Sequence, residues 1–174
     1  MEPTDRHISV RLRRRVRRRG LLQPEELVER RGSEHAAGRR TALRYSAGVT
    51  LLAVSNGVIR ASQINGCGFC TDMHTKDAAH AGEAQQRLNL VAAWREATVF
   101  TDAERAALEL AEQGTRIADA AGGVTDEAWA NAAKHFDEDQ LAALISLIAV
   151  INAYNRINII NQQPAGDYQP GRFG

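Results

Sequence analysis

The strongest constraint on the fold of this 174-residue chain is the helix punctuation that starts at Cys67. Thr101 and Glu104 have the spacing of a capping box, in which a hydroxyl and a carboxylate each satisfy a backbone donor at a helix start. Gly82 and the glycine pair at 122–123 are typical helix stops. Because this half shows no strand-like alternation, we predict an all-α fold, a bundle of five to seven helices. The predicted helices cover about residues 49–59, 67–81, 84–96, a stretch that opens at 101, 126–136 and 137–160.

Charge divides the chain into two unlike parts. Residues 1–60 carry 14 arginines and six acids, a balance of +8, whereas residues 61–174 carry eight bases and 15 acids, a balance of −7. Residues 1–20 contain eight arginines and little apolar periodicity, so we predict an Arg-rich N-terminal segment that is divergent or partly disordered. A solvated arm is the favoured hypothesis for the first segment. Its alternatives are an arm that binds nucleic acid through phosphates, and a product of a shifted reading frame or start.

Neither a secretory signal nor a membrane span is expected. The arginine-rich start has no apolar segment after it, because residues 20–22 lead directly into Gln23, Pro24 and two glutamates. The longest strongly apolar run, residues 141–151, is shorter than the ~20 residues that a span requires. We therefore expect a cytoplasmic protein without membrane contact. In that reducing compartment, two cysteines at close spacing favour catalysis or metal binding over a structural disulfide.

The stretch from Cys67 to His74, with the sequence CGFCTDMH, holds the candidate site. On a helix, positions i, i+3 and i+7 lie close to one face, so Cys67, Cys70 and His74 are expected to converge. The free backbone N–H groups of a first helical turn favour thiolate over thiol, which predicts a lowered cysteine pKa. His74 could exchange a proton with the thiol pair. A thiolate that attacks a peroxide becomes a sulfenic acid, which the second thiol condenses with to form a disulfide.

Other hypotheses for this stretch are weighed by spacing. Covalent haem attachment needs histidine directly after the second cysteine, where Thr71 stands. Zinc could use the two cysteines, His74 and His80, but a continuous helix would place His80 far along the axis from His74. A third possibility is an inert core with two buried thiols. Redox chemistry is favoured over all three.

Three further groups of residues could be functional or could serve packing. The Trp94-Arg95-Glu96 segment indicates either a helix end with an aromatic anchor or simple packing with a surface ion pair. His135-Phe136 and the segment 152–156 place polar groups among apolar ones, which indicates either a subunit interface or hydrogen-bonded core amides.

An ordered series of motifs resembles the carboxymuconolactone decarboxylase family, and within it the alkylhydroperoxidase (AhpD-like) core branch. The resemblance covers roughly residues 58–160 and implies an AhpD-like all-helical bundle that assembles into homotrimers or homohexamers. Its extent predicts an AhpD-like core domain (58–162) between the Arg-rich segment (1–57) and a flexible tail (163–174). The motifs that carry it are RASQINGCGFCTDMH (60–74), KDA (76–78), WRE (94–96), TDAERAAL (101–108) and INAYNR (151–156).

The resemblance also assigns roles in the site. It makes Cys70 the peroxidatic cysteine, Cys67 the resolving cysteine and His74 the relay histidine. The family's activating glutamate falls at Ser55, 12 residues before the first cysteine, and a hydroxyl cannot hold a proton there as a carboxylate does. Either another acid replaces it or turnover is low.

The expected function is a thiol-dependent hydroperoxidase that reduces alkyl hydroperoxides or H₂O₂. It needs no cofactor or metal besides the redox-active Cys67–Cys70 disulfide, and a lipoylated or thioredoxin-like dithiol protein would reduce it again. The alternatives are lactone decarboxylation, which gives the family its name but has no need for two thiols, and a redox sensor without catalysis. Nucleic acid is not an expected partner.

Overall fold

The fold is seen in a computed structural model that describes residues 51–120 and 122–171. These residues form helices and turns without strands, which confirms the all-α prediction. The predictions about the arginine-rich arm concern residues that lie outside the described part, apart from 51–57. The helices are α1 (Leu51–Ile64), α2 (Gly68–His80), α3 (Gln85–Leu90), a 3-10 helix (Val91–Ala93), α4 (Asp102–Thr115), α5 (Asp126–His135) and α6 (Glu138–Ile160).

Local signals set most of the helix ends as predicted. The hydroxyl of Thr101 accepts a hydrogen bond from the Glu104 backbone N–H, and the Glu104 carboxylate accepts one from the Thr101 N–H at 2.8 Å. Asp137 and Gln140 form a second capping box at the start of α6. Gly82 follows α2 with φ +97°, a conformation that favours glycine and ends the helix.

The helix predicted over 84–96 is wrong in its second half. α3 ends at Leu90, and a 3-10 turn and bends follow it. The Arg105 guanidinium, reaching over from α4, donates hydrogen bonds to the carbonyl oxygens of Trp94, Arg95 and Ala97 at 2.8–2.9 Å. These carbonyls therefore accept hydrogen bonds from a side chain instead of from the backbone N–H groups of a continuing helix. Local helix propensity could not predict this.

α1 occupies the centre of the bundle and packs against α2, α4 and α6. Its Ile59 and the Leu108 of α4 are almost fully buried, in a cluster that includes Trp94. A second cluster joins α4, α5 and α6 around Leu110 and Trp129. α2, the helix that contains Cys70, therefore packs against the central helix of the bundle.

The predicted boundary between residues 57 and 58 falls inside α1. Helical structure runs from Leu51 to Ile64 without a break, so residues 51–57 belong to the same element as the core motif. The boundary drawn from the extent of the family resemblance therefore falls within a helix.

The C-terminal tail lies against α2. The Gly166 N–H donates to the Asp72 carboxylate at 3.1 Å, and the Lys76 ammonium donates to the carbonyl oxygens of Gly166 and Tyr168 at 2.7 and 3.0 Å. The Tyr168 hydroxyl donates to the Asp77 carboxylate at 2.9 Å, and its ring meets Phe69 edge-on. Residues 164–171 are held on α2, which corrects the expectation of a flexible tail apart from the bundle.

α6 is longer and more apolar than the run at 141–151 suggested. By length and composition alone this helix could cross a membrane, a test that core helices of soluble proteins also pass. Three asparagines at three-residue spacing interrupt its apolar surface, and they bond to the rest of the bundle. These asparagines are Asn152, Asn155 and Asn158.

Candidate active site

The turn between α1 and α2 places Cys67 at the head of α2. Gly66 adopts φ +69°, and two hydrogen bonds close the end of α1: Gly66 N–H to the Gln63 carbonyl and Cys67 N–H to the Ser62 carbonyl. This is the hydrogen-bond pattern of a Schellman motif, which glycine allows at little cost. Cys67 then becomes the N-cap residue of α2, in an extended conformation, so the helix begins one residue later than expected.

The two thiols lie together in the protein interior. Cys67 is 2% exposed and Cys70 is 1% exposed, both as free cysteines, and they pack against Val58 and Ala61 of α1 and Ile151 of α6. Burial is the largest effect on Cys70 and raises the pKa of its thiol, and a hydrogen bond with Cys67 raises this pKa further. The expectation of a lowered pKa is therefore wrong for Cys70, because removal from water disfavours the thiolate more than nearby donors favour it.

Two amides from α6 act in the opposite direction. Asn158 Nδ2 lies 3.1 Å from Cys70 Sγ and donates a hydrogen bond to it. Hydrogen bonds from Asn158 and Asn155 both lower the pKa of Cys70 against the effect of burial. The Cys70 sulfur thus lies between apolar side chains and two neutral hydrogen-bond donors, the amides of Asn158 and Asn155.

A ladder of amides fastens this site to the bundle. Asn65, in the turn before Cys67, donates to the side-chain oxygens of Asn152 at 2.8 Å and Asn155 at 2.9 Å. Asn155 is fully buried and donates to the Ser62 hydroxyl at 3.1 Å, while Asn152 donates to the Thr115 hydroxyl. Of the two interpretations of segment 152–156, hydrogen-bonded core amides describe Asn152 and Asn155.

His74 and Ser55 lie on α2 and α1, the two helices joined by the turn before Cys67. His74 is half-buried on α2, one turn beyond Cys70, and Ser55 is half-buried on α1. Glu83 is a buried carboxylate that accepts a hydrogen bond from Asn56, the neighbour of Ser55, at 3.4 Å. It follows the end of α2 and forms an ion pair with Arg87 at 2.9 Å. The roles of His74, Cys67 and Cys70 stay predictions.

His80 does not join the cysteines. It is the last residue of α2 and is exposed, whereas Cys67 and Cys70 are buried at the other end of the helix. In residues 51–120 and 122–171, no three side chains of the His, Cys, Asp and Glu types are grouped as metal ligands. The zinc hypothesis therefore gains no fourth ligand from His80.

The segment at Trp94 serves packing. Trp94 is 4% exposed and donates from Nε1 to the Glu112 carboxylate at 3.0 Å, and the Arg95 guanidinium lies 4.3 Å above the indole ring. Arg95 also pairs with Glu112 at 3.4 Å. Of the two interpretations, packing with a surface ion pair describes this segment. His135 is exposed and contacts Phe136 edge-on.

Sequence reasoning missed Asn158 and Asn65. Asparagines at 152, 155 and 158 recur every three residues on an otherwise apolar helix, which marks one polar stripe. That spacing could have singled out Asn158. Asn65 gave no such signal, because its partners lie 87 and 90 residues away in the chain.

Part of this chain is similar to a known protein family and to two bacterial proteins. Residues 55–113 match the carboxymuconolactone decarboxylase family. The uncharacterised protein YdfG of Bacillus subtilis is 46% identical over 101 residues, which are 58% of this chain and 67% of that protein. The uncharacterised protein YnjA of Escherichia coli is 34% identical over 106 residues, which are 61% of this chain and 57% of that protein.

A solved structure shares the fold. The crystal structure of an Agrobacterium tumefaciens protein of unknown function, described as a candidate antioxidant defence protein AhpD, superposes with a TM-score of 0.65 at 31% identity. The match covers 76% of this chain and 93% of that one. The chain belongs to the carboxymuconolactone decarboxylase family and has an AhpD-like helical fold.

Proposed function

We propose that the protein is a thiol-dependent hydroperoxidase in which Cys70 attacks the peroxide and Cys67 resolves the product. The observation that carries the proposal is the contact of the two free thiols at the start of α2, together with the amide donor on Cys70. An inert core has no use for a polar donor aimed at a sulfur. The similarity to a candidate antioxidant defence protein supports the same reaction class.

The chemistry balances with the residues at hand and one external reductant. The Cys70 thiolate attacks one peroxide oxygen, so that an S–O bond forms, the O–O bond breaks and the released alkoxide takes up a proton to become an alcohol. Sulfur is oxidised to sulfenic acid and the peroxide is reduced. The Cys67 thiol then displaces water from the sulfenic acid and forms the Cys67–Cys70 disulfide. A dithiol protein, lipoylated or thioredoxin-like, restores both thiols by exchange.

His74 is proposed to supply and accept the protons in these steps. Histidine is the residue type whose unperturbed side chain changes charge between about pH 5 and 8, which suits proton transfer in both directions. The exposed His80 at the end of the same helix offers a matched control, because it shares the residue type and the helix but not the site.

The test follows peroxide consumption by the reduced protein, with the disulfide mapped by mass spectrometry. Wild type should consume one equivalent of cumene hydroperoxide per dithiol and form a Cys67–Cys70 bond. Cys67→Ser should stop at a sulfenic acid that dimedone traps, and Cys70→Ser should consume no peroxide. His74→Gln should slow oxidation while His80→Gln leaves it unchanged.

Full peroxide consumption by Cys70→Ser would overturn the proposal. So would turnover of the family's lactone by a wild-type protein that leaves peroxide untouched. Electrospray masses of the variants after dimedone treatment identify which sulfur was oxidised, so the two cysteines are distinguished in one experiment.

We also propose that the chain acts as a homo-oligomer, as its family resemblance implies. Three isoleucines near the end of α6 are 46–79% exposed. In the most apolar 18-residue stretch of this helix, 22% is buried within one chain. A second copy that covers this surface would remove it from water. These isoleucines are Ile157, Ile159 and Ile160.

A further inference from the structure

Asn158 sits where the end of α6 meets the candidate dithiol. Its side-chain Nδ2 donates to Cys70 Sγ over 3.1 Å, although 88 residues separate the two in sequence. The backbone around it is held as well, because the Asn158 carbonyl accepts the Gln163 N–H at 2.9 Å and Gln162 turns the chain with φ +52°. The amide is therefore presented from a closed helix end rather than from a loose loop.

Apart from Asn158 and Asn155, the surroundings of Cys70 offer little stabilisation for a negative charge. α1 faces the sulfur with the apolar Val58 and Ala61, and α6 adds Ile151. Among titratable side chains, the Cys67 thiol forms a hydrogen bond with Cys70, and His74 follows one turn along α2. A thiolate formed in this interior has to be balanced by hydrogen-bond donors, since water is excluded.

We propose that Asn158 is a catalytic residue of this site, whose side-chain amide stabilises the thiolate of Cys70 through a direct hydrogen bond. The inference rests on the proposed function in that Cys70 is the reacting sulfur. A hydrogen bond to an ionised acceptor is about twice as strong as one between neutral groups, so this contact strengthens when the thiol loses its proton. Ser55 replaces the family glutamate, and an amide donor favours the reactive form without accepting a proton.

Asn155 has a positioning role beside it. Its amide also favours the Cys70 thiolate, but it donates a further hydrogen bond to the Ser62 hydroxyl at 3.1 Å and accepts one from Asn65 at 2.9 Å. These two bonds align α6 on the turn that precedes Cys67. Replacing Asn155 would therefore disturb this turn as well as Cys70, so Asn158, whose Nδ2 lies 3.1 Å from the sulfur, is the residue to test.

The experiment measures thiolate formation without peroxide. In a Cys67→Ala background, where Cys70 is the sole thiol of the chain, the rate of alkylation by iodoacetamide and the thiolate absorbance at 240 nm are recorded against pH. Asn158→Leu removes the donor at similar volume and should raise the pKa of Cys70 by about one, which slows alkylation at pH 7 by about tenfold. The exposed Asn161, one turn further on, supplies the control Asn161→Leu, whose profile should match the parent.

An isosteric variant separates a donor from a packing role. Asn158→Asp keeps the shape but replaces the donor by a carboxylate, so it should raise the pKa of Cys70 more than Asn158→Leu does. A packing role predicts the reverse order, because aspartate fills the same space. Folding of each variant is checked by circular dichroism and by its thermal midpoint.

Two results would overturn the inference: a folded Asn158→Leu variant with the parent's alkylation profile, or an Asn158→Asp variant with a smaller effect than the leucine. The rate of Cys70 oxidation by cumene hydroperoxide is then measured in the same proteins. If alkylation responds to Asn158 and peroxide reacts with none of them, the hydrogen-bond role holds and the hydroperoxidase proposal fails. If peroxide oxidises Cys70 equally in parent and Asn158→Leu at pH 7, the catalytic role of Asn158 fails while the hydroperoxidase stands.

Discussion

Asn65 donates its side-chain amide to Asn155 over 2.9 Å and thereby joins the turn before the dithiol to a helix 90 residues further along the chain. Asn155 is fully buried, so this bond and its bond to Ser62 are shielded from water. The position of Cys67 depends on that turn. The geometry of the candidate site thus depends on hydrogen bonds between residues outside the CGFCTDMH motif that defines the site.

Replacing Asn155 should therefore cost stability. Asn155→Leu leaves the Asn65 amide and the Ser62 hydroxyl without their buried partner, and we expect a loss of about 2–4 kcal/mol in the free energy of unfolding. Urea denaturation followed by circular dichroism measures this loss. The exposed Asn161→Leu should change it by less than about 0.5 kcal/mol. Equal midpoints for the two variants would show that the ladder contributes nothing.

The carboxylate of Glu112 should make stability depend on pH. Burial raises its pKa, but hydrogen bonds from Trp94 and Arg60 and the charges of Arg60 and Arg95 outweigh burial and hold the pKa of Glu112 below its ordinary 4.5. A carboxyl whose pKa is lowered by folding adds stability above its unfolded pKa, and that stability is lost as pH falls through the folded pKa.

Glu112→Gln should accordingly be less stable than wild type by about 1–3 kcal/mol at pH 7. The difference should shrink as pH falls below about 4.5, because wild type then loses the charge that the variant lacks. Thermal melts across pH 3–7 measure the trend. Glu96→Gln, at an exposed position close by, serves as the control, and a difference that is constant over this range would contradict the expectation.

The contact between Tyr168 and Asp77 should hold the tail on α2. Burial and the Asp77 carboxylate raise the pKa of Tyr168 to about 12, so the phenol stays protonated and donates its hydrogen bond at neutral pH. Tyr168→Phe keeps the ring against Phe69 but loses the bond, and we expect about 1 kcal/mol less stability and faster cleavage of residues 164–171 by proteinase K. Asp167→Asn, in the exposed part of the same tail, should be cleaved at the wild-type rate. Identical digestion of both variants would rule out this role for the hydroxyl.

The exposed isoleucines of α6 should govern assembly. Light scattering after size exclusion should give a multiple of the 19.0 kDa chain mass for wild type. The double variant Ile157→Lys, Ile160→Lys should give a smaller particle, because burying unpaired lysine charges in the interface is costly. Ile117→Lys, at an exposed isoleucine before α5, tests whether the effect belongs to α6. A monomeric wild type would refute the assembly, and recovery of wild type with membranes would assign the apolar surface to lipid instead.

Much of the architecture could be predicted from local sequence, because the signals act within one or two helical turns. The Thr101–Glu104 capping box and Gly82 set helix ends through hydrogen bonds between near neighbours, and the CxxC spacing brought two thiols together at a helix start. The prediction of one helix over 84–96 was wrong beyond Leu90, because Arg105 of α4 donates hydrogen bonds to three carbonyl groups in that segment. Such a competition is decided by packing.

The sequence by itself determined the helical class, the family and the identity of the two cysteines, since each rests on residue type and short spacing. Only the tertiary structure decided what surrounds Cys70. Its burial between α1 and α6 reverses the pKa direction expected from a helix start, and the Asn158 donor reaches it from 88 residues away. Desolvation and long-range hydrogen bonds depend on which helices pack together, and a local sequence pattern does not determine that packing.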